Sequence, residues 1–132
     1  MRFTEIELQS EDLLWFAVDN NGNIVAFYTG GIGCVPNFVC NDKELTYNLQ
    51  DYFLDELENN DSTNSEVLAK KGLYCFDVSY EDNYGNSYNK TETPNNPINI
   101  SSLPEKIANM LKNNKIEYAA NNVETIIVKH AY

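Results

Sequence analysis

Leu14-Trp-Phe-Ala-Val-Asp-Asn-Asn-Gly-Asn-Ile-Val-Ala-Phe-Tyr28 runs directly into Thr29-Gly-Gly-Ile-Gly-Cys-Val-Pro36. Two apolar runs flank an Asn21-Gly22 pair, which is the pattern of a β-hairpin. A two-residue type I′ turn at Asn21-Gly22 would set Phe16 opposite Phe27 and Val18 opposite Val25 on one side. Trp15 would then oppose Tyr28, and Ala17 would oppose Ala26, on the other side. Both sides are apolar, so the hairpin must be covered on both faces or must present Trp15 at a partner surface. Gly30, Gly31 and Gly33 read as a bend whose backbone angles need glycine. The alternative is a small-ligand or phosphate loop that cradles an anion with its N–H groups. No Lys-Ser/Thr follows, however, and the loop does not run straight into a helix as phosphate loops do.

Outward from the hairpin, residues 3–9 alternate Phe3, Glu5 and Glu7 with Thr4, Ile6 and Leu8, which predicts a short first strand. Residues 41–58 predict the longest helix, opened by a capping box at Asn41-Asp-Lys-Glu44. Its Leu45, Leu49, Tyr52, Phe53 and Leu57 share an apolar stripe. At about 100° per residue, Glu44, Asp51, Asp55 and Glu58 fall together on the opposite face as an acidic ridge. A shorter helix over 62–71 ends at Gly72, with Lys70 and Lys71 in the last turn. Residues 73–80 then form a strand, 81–86 a turn, and 87–93 a polar edge strand stopped by Pro94 and Pro97. Ser102-Leu-Pro-Glu105 reads as a second capping box, opening a helix to about 113 with Ile107, Met110 and Leu111 buried. A last strand lies over 123–129.

The chain has 132 residues, 42% of them apolar, enough for one domain with its own core. No apolar run approaches a membrane span, and the acidic N-terminal residues are unlike a secretory leader; both point to the cytoplasm. Cys34, Cys40 and Cys75 are odd in number and lack a Cys-x-x-Cys pair, so they read as buried thiols rather than a zinc set completed by His130. His130 lies two residues from the C-terminus, where little orients it as a base. The carboxylate pairs Asp51/Asp55, Asp55/Glu58 and Glu81/Asp82 could bind a divalent ion, while acid–base chemistry would need a pocket that pulls two pKa values apart; they are predicted on a solvated face. Tyr80, Tyr84 and Tyr88 bracket a loop, a placement that suits recognition. The net charge of −11, from 20 acidic and 9 basic residues, repels nucleic acid and favours a basic partner.

The Trp15-Phe-Ala-Val-Asp-x-x-Gly-x-Ile-Val-Ala-Phe stretch, the Thr29-Gly-Gly-x-Gly-x-Val-Pro36 loop and Leu103-Pro-Glu together resemble a family of small, acidic, cytoplasmic bacterial proteins. That family is similar in style to the immunity proteins that accompany secreted toxins, including the SUKH group. The resemblance implies no catalytic residue, so none is carried over.

These readings predict a single α+β domain over residues 1–132: a mainly antiparallel sheet of about five or six strands packed with two or three helices. The expected function is a non-enzymatic protein-binding module, an immunity-type inhibitor of a basic toxin or nuclease domain. It would use Glu44, Asp51, Asp55 and Glu58 for steering and rim contacts, and Trp15 as an anchor. No cofactor, metal, nucleic acid or membrane is expected. A small-ligand or phosphate site at Gly30, Gly31 and Gly33 is one alternative. A structural or assembly role, with the two-sided apolar hairpin forming a homodimer, is another.

Overall fold

A computed structural model describes residues 1–54, 64–81 and 85–129. The fold is α+β, built on a five-stranded mixed sheet whose strands lie in chain order. Strands β1 (Leu14–Val18), β2 (Ile24–Tyr28), β3 (Tyr74–Val78), β4 (Ser87–Glu92) and β5 (Thr125–Ile127) are joined by antiparallel pairing throughout, except that β2 and β3 are parallel. A parallel pair needs a long crossover. The crossover here carries α2 (Asn37–Cys40), α3 (Lys43–Leu54) and α4 (Asn64–Lys70). Helix α1 (Glu5–Ser10) precedes the sheet, and α5 (Glu105–Leu111) follows a 3-10 turn at Ile100–Ser102.

The hairpin is covered on both faces, as its composition requires. Trp15, Ala17, Val25 and Phe27 pack with Phe76 and Tyr88 under α1, α2 and the closing segment. Leu14, Phe16, Val18, Ile24 and Ala26 pack on the other face against Leu49 and Phe53 of α3, Leu68 of α4 and Ile107 and Leu111 of α5. The register differs from the expected one by a single position: Trp15 pairs with Phe27, Phe16 with Ala26 and Ala17 with Val25. A slip of one residue moves every side chain of one strand to the opposite face.

The cause is Asp19. Its Oδ1 accepts hydrogen bonds from the backbone N–H groups of Asn21 and Asn23, both at 2.9 Å. The Gly22 N–H donates to the Asp19 carbonyl at 3.1 Å, and Gly22 takes φ +82°. A type I′ turn needs two residues with positive φ; no described residue other than glycine has one. The connection is therefore a three-residue loop with glycine in the left-handed position.

Other elements differ from expectation for local reasons. Residues 3–9 do not form a strand, because Thr4 and Glu7 close a reciprocal capping box: Glu7 N–H donates to Thr4 Oγ1 at 3.1 Å, and Thr4 N–H to Glu7 Oε1 at 3.0 Å. Strand β4 is not an edge; it lies between β3 and β5. Its polar residues Asn89 and Thr91 are exposed while Tyr88 is fully buried on the opposite face, so the alternation reflects one uncovered face. Five α-helices stand among the described residues where two or three were expected, the additions being α1 and α2. Helix α5 begins after Pro104 with no side-chain cap, and Ser102 belongs to the preceding 3-10 turn, so there is no capping box there.

Candidate functional site

Helix α3 carries the acidic residues that the sequence singles out. Its cap is Asp42 rather than Asn41: Leu45 N–H donates to Asp42 Oδ1 at 3.1 Å, and Asn41 instead accepts from Arg2. The capping box expected between Asn41 and Glu44 is therefore not formed. The inward side of α3 buries Thr46, Leu49 and Phe53, which leaves Glu44, Asn48 and Asp51 exposed on the outer side. Glu44 and Asp51 are seven residues apart, which places them on one face about 10.5 Å apart along the axis. Asp55 and Glu58 lie outside the described residues.

Glu44 pairs with the Met1 ammonium group at 2.7 Å, and this neighbour holds its carboxyl below the ordinary glutamate value. The two groups remain 57% and 75% exposed. An ion pair this wet is weak and screened, so it does not withdraw Glu44 from a competing cation. Asp51 makes no ion pair with another described residue.

Beside this face runs a groove between α3 and α5. Asn48 and Tyr52 form one wall; Pro104, Lys106, Ile107 and Met110 form the other, around a volume of about 450 Å³. Tyr52 is held edge-on against Phe53 at 5.0 Å, and Phe53 packs on Phe16 at 4.9 Å. The half-buried Tyr52 ring therefore rests on the core. Sequence reasoning placed Met110 on a buried stripe; it is only partly buried and lines this groove. No sequence signal specified the groove, because it depends on how α3 and α5 meet across β1.

Trp15 takes no part in any surface. It is fully buried, stacked on Phe27 at 4.0 Å, with Phe38 and Tyr88 edge-on. The anchoring role expected of it passes to no outward-facing atom, because both hairpin faces are covered.

The glycine loop is a packed bend. Gly30 N–H donates to Asp12 Oδ1 at 2.7 Å, Gly31 N–H to Thr29 Oγ1 at 3.3 Å, and Gly33 N–H to the Thr29 carbonyl at 2.8 Å. An anion would have to displace a carboxylate to reach Gly30. A Cβ on Gly33 would collide with the Tyr88 hydroxyl, whose own hydrogen bond goes to the Cys34 carbonyl at 2.7 Å. Glycine serves close packing here.

The three cysteines form no disulfide, and all are buried. Burial pushes Cys75 up to about 12, which keeps it protonated and poorly nucleophilic. Burial likewise raises the hydroxyls of Tyr28 and Tyr88. Among the described residues, no three His, Cys, Asp or Glu side chains converge as metal ligands, and no helix is long and apolar enough to cross a membrane. His130, Asp82 and Tyr84 lie outside the described residues; Tyr80 is 71% exposed. Comparison with protein-family models, curated proteins and solved structures gives no match to this chain.

Proposed function

We propose that this chain is a non-enzymatic protein-binding module that captures a basic polypeptide, in the manner of an immunity protein neutralising a cationic toxin or nuclease domain. The observation that carries the reading is the outer face of α3, where Glu44 and Asp51 stand exposed beside an apolar groove. An apolar centre with a charged rim is the usual anatomy of a protein interface. The net charge of −11 adds long-range attraction for a cationic partner and repulsion of nucleic acid and of anionic lipid. The hairpin's resemblance to a family of small acidic bacterial proteins, similar in style to immunity proteins, points the same way.

The test is capture of a partner from the native host by wild type and by Glu44→Lys/Asp51→Lys, at low and at moderate salt. The reversed pair is expected to weaken capture by about tenfold at low ionic strength, with a smaller difference where salt screens the rim. Equal capture by both proteins at both salt levels would remove α3 from the interface.

A further inference from the structure

We infer that the groove between α3 and α5 receives a cationic amphipathic α-helix of the partner, its apolar side on Tyr52, Ile107 and Met110 and its basic flank over Glu44 and Asp51. This rests on the protein-binding reading above and names the form the partner takes.

The floor is apolar and firm. Ile107 is 8% exposed and continuous with the core, while Tyr52 and Met110 are partly buried against it. Methionine at such a wall adapts its shape to what it meets. The walls are helices, whose interior N–H and C=O groups are already paired. The nearest sheet edge, that of β1, is also closed: Gln50 Nε2 donates to the Leu14 carbonyl at 2.7 Å, and Asn114 Nδ2 to the Phe16 carbonyl at 3.4 Å. Val18 N–H donates to the Asn114 carbonyl at 2.8 Å, and Ile116 N–H to the Val18 carbonyl at 3.0 Å. An extended peptide would find no ladder to join. The occupant must satisfy its own backbone, and a helix does so while offering one apolar stripe to a two-helix groove.

Charge selects among helices. A second copy of this chain would bring its own −11 charge against Glu44 and Asp51. Nucleic acid and anionic lipid are repelled in the same way. The spacing of Glu44 and Asp51, about 10.5 Å along α3, matches basic residues at i and i+7 on a helix lying alongside. Lys106, on the α5 wall, sets the opposite flank as neutral or acidic. With seven residues in α5, the groove accommodates about two turns.

The test uses the full chain and three synthetic fluorescein-labelled peptides. The first has Leu at i, i+3, i+4 and i+7 and Lys along one flank. The second keeps its charge but carries two internal prolines, and the third replaces Lys with Glu. Fluorescence anisotropy at low salt is expected to show the helical peptide binding about tenfold or more tighter than the proline and Glu peptides. Its helical circular-dichroism signal should grow on binding. Tyr52→Ser/Met110→Ser removes apolar contact without changing charge and should weaken binding by about tenfold. In the wild-type chain, amide chemical-shift changes should concentrate on residues 48–52 and 105–110, a readout that does not depend on any variant folding.

Equal affinity for the helical and proline peptides overturns the inference, as do shift changes elsewhere, no binding of any peptide, or a folded Tyr52→Ser/Met110→Ser chain with unchanged affinity. If Glu44→Lys/Asp51→Lys still weakens host-partner capture at low salt in those cases, the acidic-face reading stands and only the helix in the groove is lost. If that reversal also has no effect, both fall.

Discussion

Asp19 is 5% exposed at the point where the hairpin turns, and backbone N–H groups satisfy its carboxylate. One oxygen holds Asn21 and Asn23; the other accepts from Ala120 N–H at 2.9 Å, tying the hairpin to a segment a hundred residues away. Asp19→Ala would strand these donors, at a cost of about 2–4 kcal/mol for a set of charge-assisted bonds; chemical denaturation measures it. Asp77 presents the opposite case. Burial raises its carboxyl above the ordinary value, helped by the neighbouring Asp12 carboxylate. The folded chain thus holds this proton more tightly than the unfolded one. The stability that Asp77 contributes is present below the unfolded value and is lost as pH rises through the folded one. Asp77→Asn is therefore expected to raise the melting temperature at neutral pH, with the gain vanishing near about pH 3. A gain of equal size at both pH values would show that packing, not ionisation, is responsible. Glu7 runs the other way. Lys43 holds its carboxyl low, so its contribution is present above the unfolded value and lost as acid brings the pH down through the folded one.

At the scale of elements, the outer edge of β1 is the feature with consequences. A bare strand edge invites pairing with another chain. Here Gln50, Asn114 and the 114–116 backbone occupy it residue by residue. Both hairpin faces are covered, and a second copy would have to displace these bonds to pair with the edge. Gln50→Ala/Asn114→Ala would uncover the Leu14 and Phe16 carbonyls, costing about 1 kcal/mol for each lost bond. Concentration-dependent association is expected with it, read by sedimentation; a double variant that stays monomeric across concentrations would show that the 114–116 backbone alone protects the edge. At the far edge, β5 is only three residues long, and Ile127 N–H donates to the Tyr118 hydroxyl at 3.4 Å. Short and capped, it is blunted by the same logic. Some of this was legible in sequence. Thr4-Glu-Ile-Glu7 spells a capping box, and that signal outweighs the alternation which suggested a strand. The role of Gln50 was not legible, since nothing local to α3 says that its amide reaches β1.

Across the whole molecule, the charge and the groove belong together. An excess of carboxylates makes copies of the chain repel one another at long range, and the groove between α3 and α5 exposes an apolar strip backed by the core. Composition alone gave the sign of the charge, and helical periodicity gave the outward direction of Glu44 and Asp51 on α3. Periodicity also separated Leu49 and Phe53 from them, because a helix sorts its own faces without help from the rest of the chain. The two-sided greasiness of the hairpin likewise demanded cover on both faces, whatever that cover was to be. Tertiary structure decided the remainder. Asp19 sets the hairpin register locally through Asn21 and Asn23, and its second oxygen ties that turn to Ala120, a contact between distant parts of the chain. The burial of Trp15, the interior place of β4 and the groove between α3 and α5 depend in the same way on which elements meet. A sequence states each segment's own preferences; the choice of neighbour is settled only when all the segments compete for the same interior.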